Sequence, residues 1–232
     1  MISNARLDND SPSNFRLCNY FVYCIFGMEV SKMNSLDWER EWWGTCQNTF
    51  GEEEKQLLYA RKMGLFFFHD GKSPYNIDMQ GASVLDVGSG PASLLLKCVN
   101  VRGKVIDPLT FPSWVYSRYN ESGLSWQQIC AERMDEQGWD EVWIYNVLQH
   151  VENPQLVIEK AKRAGRLIRI FEWIDMAPTS THPSILREAE LNEWLGGEGK
   201  VEQFNGQHEC YGRGYYGIFP ISYTGIRSPS NQ

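Results

Sequence analysis

From position 81 onward, short apolar runs alternate with segments whose apolar residues recur at helical spacing. The apolar and β-branched runs predict strands over 82–87, 104–107, 126–131, 141–146 and 166–174. The segments between and after them predict helices over 91–98, 112–119, 154–164 and 183–195, each opening on a proline suited to a first helical turn. Strand and helix in alternation imply a parallel sheet with helices on both faces. Two further runs, "KVEQFN" and "YYGIF", are joined only by the Gly-rich "GQHECYGRG". Neighbours so joined pair antiparallel, so the sheet is expected to end in a reversed hairpin.

Upstream, 34–68 reads as two helices. Asn48 or Thr49 can cap the second, and Glu52, Glu53 and Glu54 lie in its first turn, where the helix dipole favours them. Leu57, Leu58, Ala60 and Met63 give that helix an apolar face. The aromatics of "EWW" at 41–43 and Tyr59 have two readings, a cover over a ligand site or packing onto the sheet. "HDGKSPYNIDMQG" is a loop rich in turn formers. The chain thus divides into an extension over 1–33, a helical lid region over 34–80, one α/β domain over 81–226 and a tail over 227–232. Met28 and Met33 are alternative starts, so 1–33 is either a loose extension or lies outside the native start.

At 232 residues the chain is one domain of ordinary size, long enough to bury about 70% of its unfolded surface without metal or disulfide. Its net charge of −7 and the lack of any Lys/Arg run argue against a nucleic-acid substrate. None of the six cysteines forms a C-x-x-C pair and none joins a histidine at zinc spacing, so no metal site and a reducing cytoplasm are expected. "YFVYCIFGM" at 20–28 falls short of the roughly 20 residues of a membrane span and lacks signal-peptide features.

The chemistry gathers at "VLDVGSGPASLLL". Gly88-Ser89-Gly90 ends the first strand, where an open α/β sheet binds ligands, and its glycines permit a tight turn and close approach. The dinucleotide fingerprint is incomplete, since Ser93 stands in place of its third glycine. Asp86 just before the turn would repel a pyrophosphate there. It would attract a ligand carrying an ammonium and a sulfonium without phosphate, which describes S-adenosyl-L-methionine. Asp107 ends the second strand, where a carboxylate can accept from both ribose hydroxyls. Asp107 alone suits NAD equally well; the two acids together discriminate.

"VLDVGSGPASLL", "VIDP" and "DEVWIYNVLQHV" resemble the first, second and fourth motifs of class I S-adenosylmethionine-dependent methyltransferases, and "NVLQHV" is similar to a stretch of their small-molecule branch. The resemblance covers about 81–174. It implies a Rossmann-like three-layer αβα sandwich, with a seven-stranded mostly parallel sheet whose last strand is antiparallel. By the same resemblance Asp86, Gly88 and Gly90 hold the methionine end and Asp107 the ribose. Glu132 contacts the adenine, and Asn146 and Val147 line the floor beside the methyl group. His150 is the candidate general base, with a polar residue at a helix start as its plain alternative. Glu132 has the same plain alternative as a surface acid.

The chain lacks the Asn/Asp-Pro-Pro-aromatic tetrad and the Pro-Cys pair of base-methylating enzymes. The expected activity is therefore methyl transfer to an oxygen or nitrogen of a small-molecule acceptor. A catalytically silent binding or assembly protein, and aminopropyl-transfer or lyase chemistry on the same cofactor, stand as alternatives.

Overall fold

The structure is a computed structural model that describes residues 35–46, 49–68, 76–179, 181–207 and 210–221. The extension expected over 1–33, the tail over 227–232, His69, His208, and most of the turn-rich loop lie outside these residues. In chain order the helices are α1 (Ser35–Trp43), α2 (Thr49–Lys62), α3 (Ser113–Glu121), α4 (Pro154–Ala164) and α5 (Glu188–Leu195). The strands are β1 (Phe67–Phe68), β2 (Asn76–Asp78), β3 (Ser83–Val87), β4 (Cys98–Val99), β5 (Arg102–Asp107), β6 (Ser125–Gln128), β7 (Trp139–Tyr145), β8 (Gly165–Ile174), β9 (Lys200–Gln207) and β10 (Cys210–Pro220). None of the described helices is long and apolar enough to cross a membrane.

Seven strands form the main sheet in the order β6-β5-β3-β7-β8-β10-β9. The first five pair in parallel, and β10 runs antiparallel to both β8 and β9. Strand order reverses beside β3, which places the glycine turn at the crevice where such sheets take ligands. Alternate residues feed two cores. Val84, Val105, Trp143, Tyr145, Phe171 and Trp173 face α2 and α3, whereas Leu85, Ile106, Val142, Ile144, Ile168 and Ile170 face α4 and α5.

Four local expectations are corrected. The helix expected over 91–98 is a single 3₁₀ turn, Leu94–Lys97, because the chain then straightens into β4 and pairs with β2. α5 begins at Glu188 rather than 183, since the Leu186 carbonyl accepts from Asp175 N and Ser184 Oγ donates to the Val151 carbonyl, holding this stretch extended. β6 stops at Gln128, ahead of a 3₁₀ turn at Ala131–Arg133. Much of the Gly-rich link before "YYGIF" belongs to β9 and β10. Gly214 lies inside β10 because a Cβ there would come within 2.7 Å of the Phe204 ring and 3.0 Å of the Phe171 ring.

The stretch read as a lid divides in two. In α2, Leu57, Leu58, Tyr59, Ala60 and Met63 are buried, and Tyr59 stacks on Phe171 at 4.3 Å between ring centroids. This helix packs onto the sheet, as does Tyr59. None of the α1 side chains described is buried, and this helix lies instead against the glycine turn.

Candidate active site

Asp86 points to the α2/α3 face and is wholly buried. Its Oδ2 accepts from Ser93 Oγ at 2.5 Å and from Tyr145 Oη at 2.6 Å, while Oδ1 has no partner among the described residues. Burial raises its pKa to about 7 against the lowering pull of those two hydroxyls.

The same network takes five backbone donors in and just after the turn. Gly88 N donates to the Ile106 carbonyl, Gly90 N to Asp107 Oδ2, Ser93 N to Tyr119 Oη, Leu94 N to Tyr145 Oη and Leu95 N to Ser93 Oγ. A dinucleotide turn offers such amides to phosphate. Here they are satisfied internally, which suits a ligand without phosphate. The unpaired, buried Asp86 Oδ1 is a further acceptor suited to a cation. The donor set therefore fits S-adenosylmethionine better than NAD.

Asp107 sits half-buried at the end of β5. Its two oxygens accept from Gly90 N and Leu109 N, both at 2.9 Å, which fixes the carboxylate and leaves each oxygen a second lone pair. Burial raises its pKa to about 6, opposed by those amides and by His150 and assisted by Glu39. Glu132 lies in the 3₁₀ turn Ala131–Arg133, and its Oε1 accepts from Glu152 N at 3.0 Å.

Asn146 follows β7 at φ +58°, a left-handed conformation that asparagine tolerates, and there the chain turns away from the sheet. The next amides, Val147 N and Leu148 N, donate to the buried carboxylate of Glu172 on β8. Burial lifts Glu172 to about 7 against those two bonds. Val147 packs directly on Gly88, whose φ is +68°. Gln149 Nε2 bridges Asn146 Oδ1 at 3.0 Å and His150 Nε2 at 3.3 Å.

His150 Nδ1 lies 3.0 Å from the Thr181 carbonyl, which can only accept, so Nδ1 carries a proton and the neutral ring keeps its lone pair on Nε2. The same Nδ1 is 3.0 Å from Glu39 Oε1 on α1. Burial would lower the pKa of His150, but the Glu39 hydrogen bond and charge, with Glu172 and the Thr181 carbonyl, raise it overall. His182 packs beside it at 4.6 Å between centroids, its pKa lowered by burial and by His150. Asp175, just past the end of β8, pairs with Arg213.

The structure thus gathers Asp86, Gly88, Gly90, Asp107, Asn146, Val147 and His150 around the ends of β3, β5 and β7. Sequence reasoning missed Ser93, Tyr119, Tyr145, Gln149, Glu172 and Glu39. A lone acid in the apolar run "LIRIFEWI" was a readable signal for Glu172; the others depend on partners distant in sequence.

Asp86 and Glu172, both 0% exposed, hold protons more tightly folded than unfolded. The folded state then binds the extra protons above the unfolded pKa, so stability is fully present in acid and is lost as pH rises through about 7. The ligand-free protein is expected to melt about 5–10 °C lower at pH 8 than at pH 5, for a loss of about 2–3 kcal/mol. A melting temperature that rises over that interval would overturn this account of the two carboxyls.

No protein-family model matches the sequence, and no curated protein matches it. Solved structures do match in fold. A SAM-dependent methyltransferase from Aquifex aeolicus aligns over 81% of this chain and 99% of its own, at 16% identity and a TM-score of 0.50. The Burkholderia thailandensis 1,6-didemethyltoxoflavin-N1-methyltransferase, with 1,6-didemethyltoxoflavin and S-adenosylhomocysteine bound, aligns over 81% and 84% at 14% identity and TM-score 0.53. The mitomycin 7-O-methyltransferase MmcR aligns over 82% of this chain and 61% of its own, at 15% identity and TM-score 0.52. With the strand order and the reversed β10, these likenesses establish that the chain has the class I S-adenosylmethionine-dependent methyltransferase fold.

Proposed function

We propose that the protein transfers a methyl group from S-adenosylmethionine to an oxygen or nitrogen of a small polar molecule. The observation that carries this reading is the turn after β3, where the amides of Gly88, Gly90, Ser93 and Leu94 are taken internally while Asp86 and Asp107 flank it. The cofactor, when bound, supplies a methyl on a sulfonium whose leaving group is a neutral thioether. The protein's share is then mainly alignment and exclusion of water.

In this reading Asp107 holds the ribose through its two remaining lone pairs, and Gly88 and Gly90 admit the methionine end beside Asp86. Asn146 and Val147 form the floor, and Glu132 borders the adenine side. Around Asn146 stand Gln149, His150, Thr181 and His182, a polar lining that favours a polar acceptor over a lipid-like one. His150 is the group there able to take a proton near neutral pH, through Nε2. A cytoplasmic location belongs to the same reading, with Cys46, Cys98 and Cys130 as free thiols.

Calorimetry tests it. S-adenosylhomocysteine should bind with measurable heat while NAD gives none; binding of NAD in preference would return the site to nucleotide chemistry.

A further inference from the structure

Helix α1 touches the crevice at two points. A Cβ on Gly90 would lie 3.2 Å from the Trp43 ring, so that indole rests on the glycine turn. Four residues earlier, Glu39 reaches His150, on the opposite wall. None of the side chains described in α1 is buried: Leu36 is 38% and Trp42 60% exposed, and Arg40 and Glu41 are also exposed. A helix with so little buried surface opens locally at low cost. Its far end is anchored, since Cys46 just beyond it is buried in the core.

The wall that receives Glu39 is rigid by contrast. Glu172 holds the amides of Val147 and Leu148, His150 N bonds to the Val147 carbonyl, and Thr181 fixes the imidazole. We propose that Glu39 is a positioning residue that clasps α1 across the mouth of the crevice through His150, so that the ligand enters and leaves by parting this pair. The proposal rests on the reading of the crevice as the cofactor site.

The charge state of His150 sets the strength of the clasp. The titratable groups facing it are Glu39 from α1, Glu172 from β8, Asp107 at the end of β5 and His182 from the β8–α5 connection. Protonated, His150 forms an ion pair with Glu39; neutral, it offers Glu39 only an Nδ1–H shared with the Thr181 carbonyl. Gln149 can follow the change. Its Oε1 is buried without a partner, and turning the amide over together with that of Asn146 would bring this oxygen toward a protonated Nε2 while keeping an Asn146–Gln149 hydrogen bond. The two side chains of the clasp are 19% and 22% exposed, which places the pair between a screened surface contact and a buried one.

The test is stopped-flow binding and release of S-adenosylhomocysteine, followed by tryptophan emission, in the wild type and Glu39→Gln. At pH 6.5 both the association and dissociation rates should rise about tenfold, equivalent to about 1.4 kcal/mol, while the equilibrium affinity changes little. The ratio of variant to wild-type rates should fall toward one by pH 9, as His150 loses its proton; using the ratio cancels the titration of Asp107 and Glu172, common to both proteins. In parallel, amide hydrogen exchange of the ligand-free proteins should be faster over 35–43 in Glu39→Gln and unchanged over 52–62. Unchanged rates with unchanged exchange over 35–43 overturn the clasp. A rate ratio independent of pH also overturns it, because Glu39 would then act other than through His150. Failure of the wild type to bind S-adenosylhomocysteine overturns the proposed function instead, and the exchange measurement still decides whether Glu39 holds α1.

Discussion

Asp107→Ala should weaken S-adenosylhomocysteine binding by about a hundredfold or more. The carboxylate is held by the amides of Gly90 and Leu109, so its two remaining lone pairs are presented without conformational search. Two hydrogen bonds from ribose hydroxyls to a charged acceptor are worth about 1.5–3 kcal/mol each, and tenfold in affinity corresponds to about 1.4 kcal/mol. The alanine variant also leaves those two amides without their acceptor, so its melting temperature must be read alongside the calorimetric affinity. Asp107→Asn separates the effects: it keeps an acceptor for one amide but loses the charge, and should fold better while still binding weakly. Affinity equal to wild type in both variants would remove Asp107 from the site.

Gly88→Ala should be among the most destabilising single changes in the domain. Gly88 has φ +68°, and a Cβ there would stand 2.6 and 2.7 Å from the two methyls of Val147. The left-handed conformation costs a non-glycine residue about 1–2 kcal/mol, and overpacking typically adds about 1–3 kcal/mol. For a chain of this size the melting temperature should then fall by about 8–15 °C. Gly81→Ala is the matched control, because Gly81 has φ +86° but nothing within 4 Å of the added atom. It should show the conformational cost without the clash, and equal losses in the two variants would show that Val147 yields.

The alternating strands and helices were legible because apolar periodicity is local, and α4 begins and ends where its proline and apolar face predict. The parallel sheet followed from that alternation, and its reversed end from the short connection before the last strand. The helix expected after the glycine turn failed for a reason no local pattern carries: Cys98 and Val99 are claimed by pairing with β2. Gly212 was read as part of the connection but lies inside β10, where Gly214 is small to make room for Phe204 and Phe171.

At the site, Asp86, Asp107 and the two glycines stood out because their chemistry is odd for their position. The hydroxyl of Tyr145 that engages Asp86 lies 59 residues away, inside an apolar run where tyrosine reads simply as core. Glu39 was equally hidden, as one acid among several on an amphipathic segment.

The two tyrosine hydroxyls at the glycine turn also bear on redesign. Making this crevice accept a dinucleotide would take more than neutralising Asp86. Tyr119 and Tyr145 would still occupy the amides of Ser93 and Leu94, and Asp107 would still hold that of Gly90. Phenylalanine at both tyrosine positions would free two donors but would also strip Asp86 of one hydroxyl and the Gly90 carbonyl of another. If the crevice takes S-adenosylmethionine as proposed, its selectivity rests on the packing of two aromatics as firmly as on the acid itself, and a change of cofactor would have to pass through a rebuilt core.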